Sequence, residues 1–371
     1  MDVTSGHSNW LEIDGQAIKN NIRQLQDLTG VRVMAVVKAN GYGHGITPVA
    51  RMAAEAGASF LGVARIDEAL ELRREGIETA IQILGFTPDE RMGEAVEASI
   101  SLTLHRVDQM EPVLAAAAAV GKPARVHIKI DTGMSRLGML PEEAFEVLRR
   151  LAGEPNIDLE GAFTHLARAD EPEVDLTDRQ ESIFSDWLAE VRIAGTRPSL
   201  IHTANSAAAL ARPDTRHDMV RCGIAIYGMH PSSEVPLPDG FQPALRWLSR
   251  LSQVQRLPAD RGISYGHAYT TQGDETIGVV PVGYGDGYRR VMDNQVLIAG
   301  RRAPVVGRVC MDQIMVRLDH LPGSVFGEPV VLLGSSGEEQ ISAEEIATRW
   351  GTINYEVTCG MSARVPRLYN L

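Results

Sequence analysis

Short apolar runs alternate with segments of helical period over the first two-thirds of this chain, and that alternation narrows the folds open to it. The runs are Val31–Val37, Phe60–Ala64, Ile81–Leu84, Ser101–Leu104, Ala124–Ile130, Leu159–Phe163, Leu200–Thr203 and a stretch beginning near Met219. Between them, Ile66–Gly76 sets Ala69, Leu70 and Leu72 on one face and stops at a glycine. Pro141–Ala152 opens with proline and glutamates, which suits the positive end of a helix. Strand, helix, strand repeated in this way builds a parallel sheet with right-handed crossovers. Eight such units in roughly 200–250 residues predict an α/β fold closed into a (β/α)8 barrel. An open doubly wound sheet is the alternative, disfavoured because no G-x-G-x-x-G follows the first strand.

The rhythm changes near residue 230. The segment His230–Pro243 holds Pro231, Pro236, Pro238 and Pro243 and reads as a linker. Short alternating runs follow, at Arg246–Leu257, Thr276–Val282, Gln295–Ile298, Ala303–Met311, Ile314–Leu318 and Val330–Leu333, as in a mostly antiparallel β domain. A helix is predicted to start at Ser342, with Glu345 completing a capping box. The expected domains are therefore a barrel over residues 1–239 and a C-terminal β domain over 240–371. The segment Asn9–Asp14 reads as a strand outside the barrel set and is expected to pair with the C-terminal domain.

A net charge of −12 argues against nucleic acid and anionic membranes as partners. A phosphate-bearing ligand then needs local donors, because the overall field repels it. The residues M-D-V-T-S-G-H-S at the start hold no apolar signal core, and the apolar run Leu114–Val120 is too short to span a bilayer. Cys222, Cys310 and Cys359 are widely spread, forming neither a disulfide framework nor a metal pattern. A cytoplasmic location and no metal are expected.

The segment A-V-V-K-A-N-G-Y-G-H-G (35–45) carries the strongest chemical signal. It brings Lys38 to the end of a buried strand, where an ammonium is costly unless paired, deprotonated or covalently used. Burial lowers the pKa of an amine, and a neutral amine attacks an aldehyde. The glycines that follow allow close backbone approach. One reading is a Schiff-base lysine holding pyridoxal 5'-phosphate; the other is a lysine that merely extends out of a strand end.

In a barrel of this type the chemistry lies at the C-terminal ends of the strands. Several further polar residues fall there: Arg136 in K-I-D-T-G-M-S-R-L-G, His165 in G-A-F-T-H, His202, Ser206 in H-T-A-N-S, and Arg221, Gly223 and Ile224 in M-V-R-C-G-I-A-I-Y-G. Taken singly, the histidines suit turns, Asn205 and Ser206 suit a helix cap, and the arginines suit ion pairs. Together they converge on one rim. The helix start at Ser206 and the loop at Gly223–Ile224 also predict a phosphate site of the kind barrels use.

These motifs, with S-Y-G-H-A-Y-T, V-G-Y-G-D-G-Y-R-R, G-R-V-C-M-D-Q and I-N-Y-E-V-T-C-G-M-S-A-R-V-P-R further on, make the chain resemble the alanine racemases from end to end. Racemisation needs two acid–base groups on opposite faces of a planar carbanion. The resemblance implies that Lys38 is one and Tyr265 the other. A free tyrosine, with a pKa of about 10, is a poor base; His165 and Arg221 are implied to favour its phenolate. Arg221 is implied to face the pyridine nitrogen. An arginine only donates, so that nitrogen stays unprotonated and transamination is suppressed. Arg136 is implied to contact the cofactor phenol oxygen or the substrate carboxylate. Lys129 is either carbamylated, orienting Arg136, or simply paired with Asp131. Tyr42 and Tyr355 are implied to help hold the phosphate, and Met311 to offer its amide to the substrate carboxylate. In similar enzymes Tyr265, Tyr284 and Met311 reach the substrate from the other subunit of a homodimer. Ala363 stands where many relatives have a larger residue. The expected function is interconversion of L- and D-alanine, supplying D-alanine for cell-wall synthesis. A serine or broad-range racemase and a non-catalytic pyridoxal-phosphate barrel are the alternatives; residues 244–371 argue against the latter.

Overall fold

The computed structural model describes residues 6–171 and 175–370. The leading residues 1–5, part of the segment that lacks an apolar signal core, lie outside that range. The chain forms two compact units: one spans Ala17–Gln242, and the other joins the chain up to Gln16 with everything from Pro243 onward.

The second unit takes the first strand, β1 (Asn9–Asp14). The first unit is the barrel. Its strands are β2 (Arg32–Val36), β3 (Phe60–Val63), β4 (Ala80–Ile83), β5 (Leu102–Leu104), β6 (Ala124–Lys129), β7 (Ile157–Phe163), β8 (Leu200–His202) and β9 (Met219–Cys222). Each lies within two residues of an apolar run legible in the sequence. They pair in parallel in the order β4-β3-β2-β9 and β5-β6-β7-β8. A parallel bridge between Gln82 and Ser101 joins β4 to β5. The ring closes where the Asp218 and Arg221 N–H groups donate to the carbonyls of Ile201 (3.0 Å) and Ala204 (2.9 Å). Strands covered on both faces read as unbroken apolar runs, and β3, and β2 beyond the exposed Arg32, do so. The polar side chains buried within the barrel strands are those of Gln82, Thr103, His127, Lys129, His202 and Arg221.

The second unit is a mostly antiparallel sheet with β11-β14-β17-β16-β15-β18-β10-β1-β20 as its strand order. The strands are β10 (Leu245–Arg250), β11 (Gln253–Leu257), β12 (Gly262–Ile263), β13 (Tyr269–Thr270), β14 (Glu275–Val280), β15 (Gln295–Ile298), β16 (Arg301–Val306), β17 (Ile314–Arg317), β18 (Pro329–Ser336), β19 (Glu339–Ile341) and β20 (Arg367–Asn370). The run Arg246–Leu257, expected as one strand, is two. At its middle, Leu251 donates to Glu328 O (2.9 Å) and accepts from Gly327 N–H (2.7 Å), while Ser252 N–H turns to Val279 O (2.8 Å). Β10 thus pairs with β1 and β18, and β11 with β14. The expected strand Ala303–Met311 also ends early, at Val306. Gly307 has φ +71°, and a Cβ there would lie 2.8 Å from Ser264 Cβ, so the chain bends away and carries Cys310 and Met311 outward. The helix Ala343–Trp350 starts as its capping pattern predicts, with Ser342 Oγ accepting the Glu345 N–H at 3.2 Å.

Β1 is an interior strand, antiparallel to β10 and parallel to β20. Its Asn9 side chain accepts the indole N–H of Trp247 at 2.6 Å. Trp247 is fully buried and meets Tyr288 edge-on at 5.8 Å. Replacing Trp247 with alanine should lower the unfolding free energy of this unit by about 3–5 kcal/mol, read from urea denaturation, because it opens a cavity and strands the Asn9 carbonyl.

Candidate active site

At the end of β2, Lys38 opens an unusual turn. Ala39 (φ 54°, ψ 51°), Asn40 (φ 55°, ψ 46°), Gly41 (φ 61°, ψ 44°) and Tyr42 (φ 51°) are all left-handed. Non-glycine residues lose about 1–2 kcal/mol each in this conformation, so the turn needs external bonds. Glu68 supplies them. One carboxylate oxygen accepts the Ala39 N–H at 2.7 Å, and the other accepts Ala64 N–H (2.7 Å) and Arg65 N–H (3.1 Å). Asn40 Oδ1 accepts Ile46 N–H at 3.0 Å.

The turn lays the Tyr42 ring on Tyr227, with centroids 5.0 Å apart, and Tyr227 is anchored by its hydroxyl to Val36 O at 3.1 Å. Opposite lies Gly223, where a Cβ would come within 2.3 Å of the Tyr42 hydroxyl. Ser206 Oγ accepts the Gly223 N–H at 3.0 Å, and Ile224 begins the buried turn that follows. Asn205 caps the short helix Ser206–Ala211 through Ala208 N–H at 3.0 Å. Tyr42, Ser206, Gly223 and Ile224 are thus gathered around one backbone cradle.

The second cluster is cationic. Arg221, 4% exposed, donates through Nη1 to His202 O (2.6 Å) and through Nη2 to Thr164 O (2.8 Å) and Thr203 O (3.0 Å). The same nitrogens face His202 Nδ1 at 3.0 Å and His165 Nδ1 at 3.2 Å. Burial pulls its pKa down to about 10, which leaves it charged at neutral pH. Among the described residues, its Nε–H is the one guanidinium donor without an acceptor. Phe163 lies beneath both Arg221 and Lys129, at 5.2 Å from each charged group. Burial, then the fields of Arg221, Arg136 and Lys38, pull Lys129 down to about 7. Burial and the same cations hold His165 neutral, well below its usual range. Asp131 makes no ion pair with Lys129 among the described residues. Its carboxylate instead accepts Gly133 N–H (2.9 Å) and Ser135 N–H (3.0 Å), shaping the loop that presents the exposed Arg136.

In the second unit, Tyr265 and Met311 line one recess of about 690 Å³ with His267 and Asp312. Tyr265 stands 68% exposed on the loop between β12 and β13, which needs positive φ at Ser264, Gly266 and His267. Ser264 Oγ ties that loop to Arg308 O at 2.6 Å. Tyr284 is brought alongside because its N–H donates to Cys310 O (3.0 Å) and the next N–H to Met311 O (2.9 Å). This is the turn in V-G-Y-G-D-G-Y. Tyr355, half-buried, is on the helix Asn354–Cys359.

A closed barrel with a lysine at one strand end, beside a backbone cradle and a buried guanidinium, defines a barrel enzyme of the lysine-bearing class. Residues 13–231 match the profile of the alanine racemase N-terminal domain, and residues 244–369 that of the alanine racemase C-terminal domain. The chain belongs to the alanine racemase family of amino-acid isomerases. The curated alanine racemase of Symbiobacterium thermophilum is 46% identical, covering 100% of this chain and 99% of that one. That of Desulfovibrio desulfuricans is 43% identical, with 97% of each chain covered. Among solved structures, an alanine racemase of Clostridium difficile superimposes with a TM-score of 0.94 at 39% identity, covering 99% of this chain and 96% of that one. The Bacillus anthracis enzyme, solved with bound L-Ala-P, gives 0.92 at 40% identity, covering 98% and 95%.

Sequence reading missed Glu68, Phe163 and Tyr227, which hold the site without standing at its rim. The sole signal for Glu68 is its place three residues after Arg65, at the start of a helix. The Lys129 shift makes a prediction with a definite sign. Below about pH 7 both folded and unfolded chains carry the Lys129 proton, and burying it opposes folding. Between about 7 and the ordinary 10.5 only the unfolded chain keeps that proton, so the penalty falls as pH rises. In carbon-dioxide-free buffer, Lys129→Met should raise the melting temperature near pH 7 by a few degrees, and the gain should shrink toward pH 10.

Proposed function

We propose that this chain interconverts L-alanine and D-alanine with pyridoxal 5'-phosphate bound at the barrel mouth, using Lys38 and Tyr265 as its two acid–base groups. The observation that carries this reading is the pairing of Lys38 with a cradle where a Cβ on Gly223 would strike Tyr42. The spare Nε–H of Arg221 suits an unprotonated ring nitrogen, and the Ser206 hydroxyl suits a phosphate oxygen. The residues present therefore fit the cofactor. When bound, pyridoxal phosphate accepts electron density from Cα as its proton leaves.

Ser206, Tyr42, Tyr355 and the backbone at Gly223 and Ile224 would hold the phosphate. Arg221 would face the ring nitrogen as a donor only, which would leave that nitrogen unprotonated and disfavour transamination. Lys38 takes or returns the Cα proton on one face, and Tyr265 does so on the other. His165 and Arg221 support the charge on the phenol oxygen. Arg136, the Met311 amide and Tyr284 orient the substrate carboxylate. Lys129, partly relieved of its charge near neutrality, lessens the crowding of cations around Arg136, Arg221 and Lys38. The barrel domain binds the cofactor, and the β domain contributes Tyr265, Tyr284 and Met311, which sit together on one face of it. We further propose a cytoplasmic homodimer in which that face completes the partner's site, with D-alanine passing to cell-wall synthesis.

Incubation with each alanine enantiomer in heavy water tests this reading. Wild type should invert configuration and incorporate deuterium at Cα. Lys38→Ala and Tyr265→Phe should each lose inversion by ~10²–10⁴-fold. Unchanged inversion in Lys38→Ala would remove the mechanism, and exchange without inversion in wild type would remove the racemase assignment. Serine turning over as fast as alanine would remove the assignment to alanine.

A further inference from the structure

A hydrogen-bonded chain of side chains, buried up to its last member, the half-buried Glu160, runs through the barrel from the guanidinium of Arg221. Arg221 Nη1 lies 3.0 Å from His202 Nδ1, and His202 Nε2 lies 2.9 Å from His127 Nδ1. His127 Nε2 lies 3.0 Å from Glu160 Oε2, which also accepts the Ser101 hydroxyl at 2.5 Å. A guanidinium has donors and no acceptor. His202 Nδ1 must therefore be a lone-pair nitrogen. A neutral His202 then carries its proton on Nε2 and donates to His127 Nδ1. His127 in turn carries its proton on Nε2 and donates to the carboxylate. Reversing either ring would set two N–H groups, or two lone pairs, against each other. The chain therefore has one polarity, with every proton directed away from Arg221 and toward Glu160. Burial and the neighbouring Arg221 hold His202 well below its ordinary pKa, in keeping with a neutral ring.

The backbone is built around this chain. Along β6 and β7 the register pairs Val126 with Leu159 and His127 with Gly161, so Glu160 is the extra residue of a bulge. Such bulges re-aim a side chain. At Gly161 a Cβ would lie 2.2 Å from His127 Nδ1, leaving room there for glycine alone. Phe163 stacks on the His202 ring at 4.8 Å and 13°.

We propose that Glu160, His127 and His202 are positioning residues for Arg221. Glu160 sets the tautomer of His127, which sets that of His202, which presents a lone pair to Nη1 and holds the guanidinium with Nε–H turned to the mouth. The kinetic consequence rests on the proposed role of Arg221; the tautomer assignment does not.

The test begins with wild-type apoprotein carrying ¹⁵N-labelled imidazoles. Long-range ¹H–¹⁵N spectra, assigned with His127→Gln, should show His127 and His202 as neutral Nε2–H tautomers. His202 should remain so from about pH 8 to about pH 5. An Nδ1–H tautomer at either ring overturns the proposal without need of a folded variant. Glu160→Leu should scramble both tautomers, and Glu160→Gln, which keeps an acceptor oxygen, should restore them. With cofactor bound, Glu160→Leu should lower kcat tenfold to about a hundredfold, with KM for alanine changed by less than about twofold. It should also raise the yield of pyruvate as the alanine amino group is left on the cofactor; Glu160→Gln should recover most of the loss. Altered tautomers with unchanged kcat and unchanged pyruvate yield would overturn the positioning role. If wild type proves to have no racemase activity but shows the expected tautomers, the reading of function fails and the assignment of the chain stands.

Discussion

A guanidinium buried inside a parallel barrel is the constraint on which the rest of the site depends. Removing such a charge from water costs several kcal/mol unless its donors are met. Among the described residues, no carboxylate bonds to Arg221. Carbonyls at the ends of β7 and β8 and just beyond, those of Thr164, His202 and Thr203, take its protons, joined by lone pairs of two histidines. The ends of parallel strands suit this task, because their last carbonyls are free of ladder partners. The nearest negative charge along the chain of bonds is Glu160, two imidazoles away.

The charge then governs its neighbours. Lys129 and His165 lie in its field, and both are driven toward their neutral forms. The mouth thus gathers cationic and neutral nitrogen groups, and among the described residues the acidic side chains that act on them, Asp131 on Lys129 and Glu181 on Arg221, oppose the shifts less than burial drives them. An overall acidic protein can in this way build a locally positive site. The left-handed turn after Lys38 serves the same site by another route. Backbone strain, held by Glu68 and Asn40, brings Tyr42 back over Gly223.

Much of this was legible in the residues. Strand ends announce themselves because a barrel strand is mostly apolar along its length and polar where it stops, and Lys38, Arg136, His165 and Ser206 all follow such a change. The cap at Ser342 was legible because it is local chemistry between residues three apart. The split of Arg246–Leu257 was not, since both halves are amphipathic strands and only their partners, β1 and β18 against β14, distinguish them. The His127–Glu160 pair was also hidden. Period-two alternation would place Glu160 on a fixed face, and a bulge changes that face without leaving a mark in composition.

The sequence by itself determined the barrel, the attached antiparallel domain and the family, because hydrophobic period and ordered motifs are properties of neighbours along the chain. Tertiary structure decided the charge states and the directions of the hydrogen bonds. Whether Lys129 keeps its proton, which nitrogen of His202 is bare and which donor of Arg221 remains for a ligand depend on burial and on groups from several strands. Those distances exist only once the ring of strands has closed.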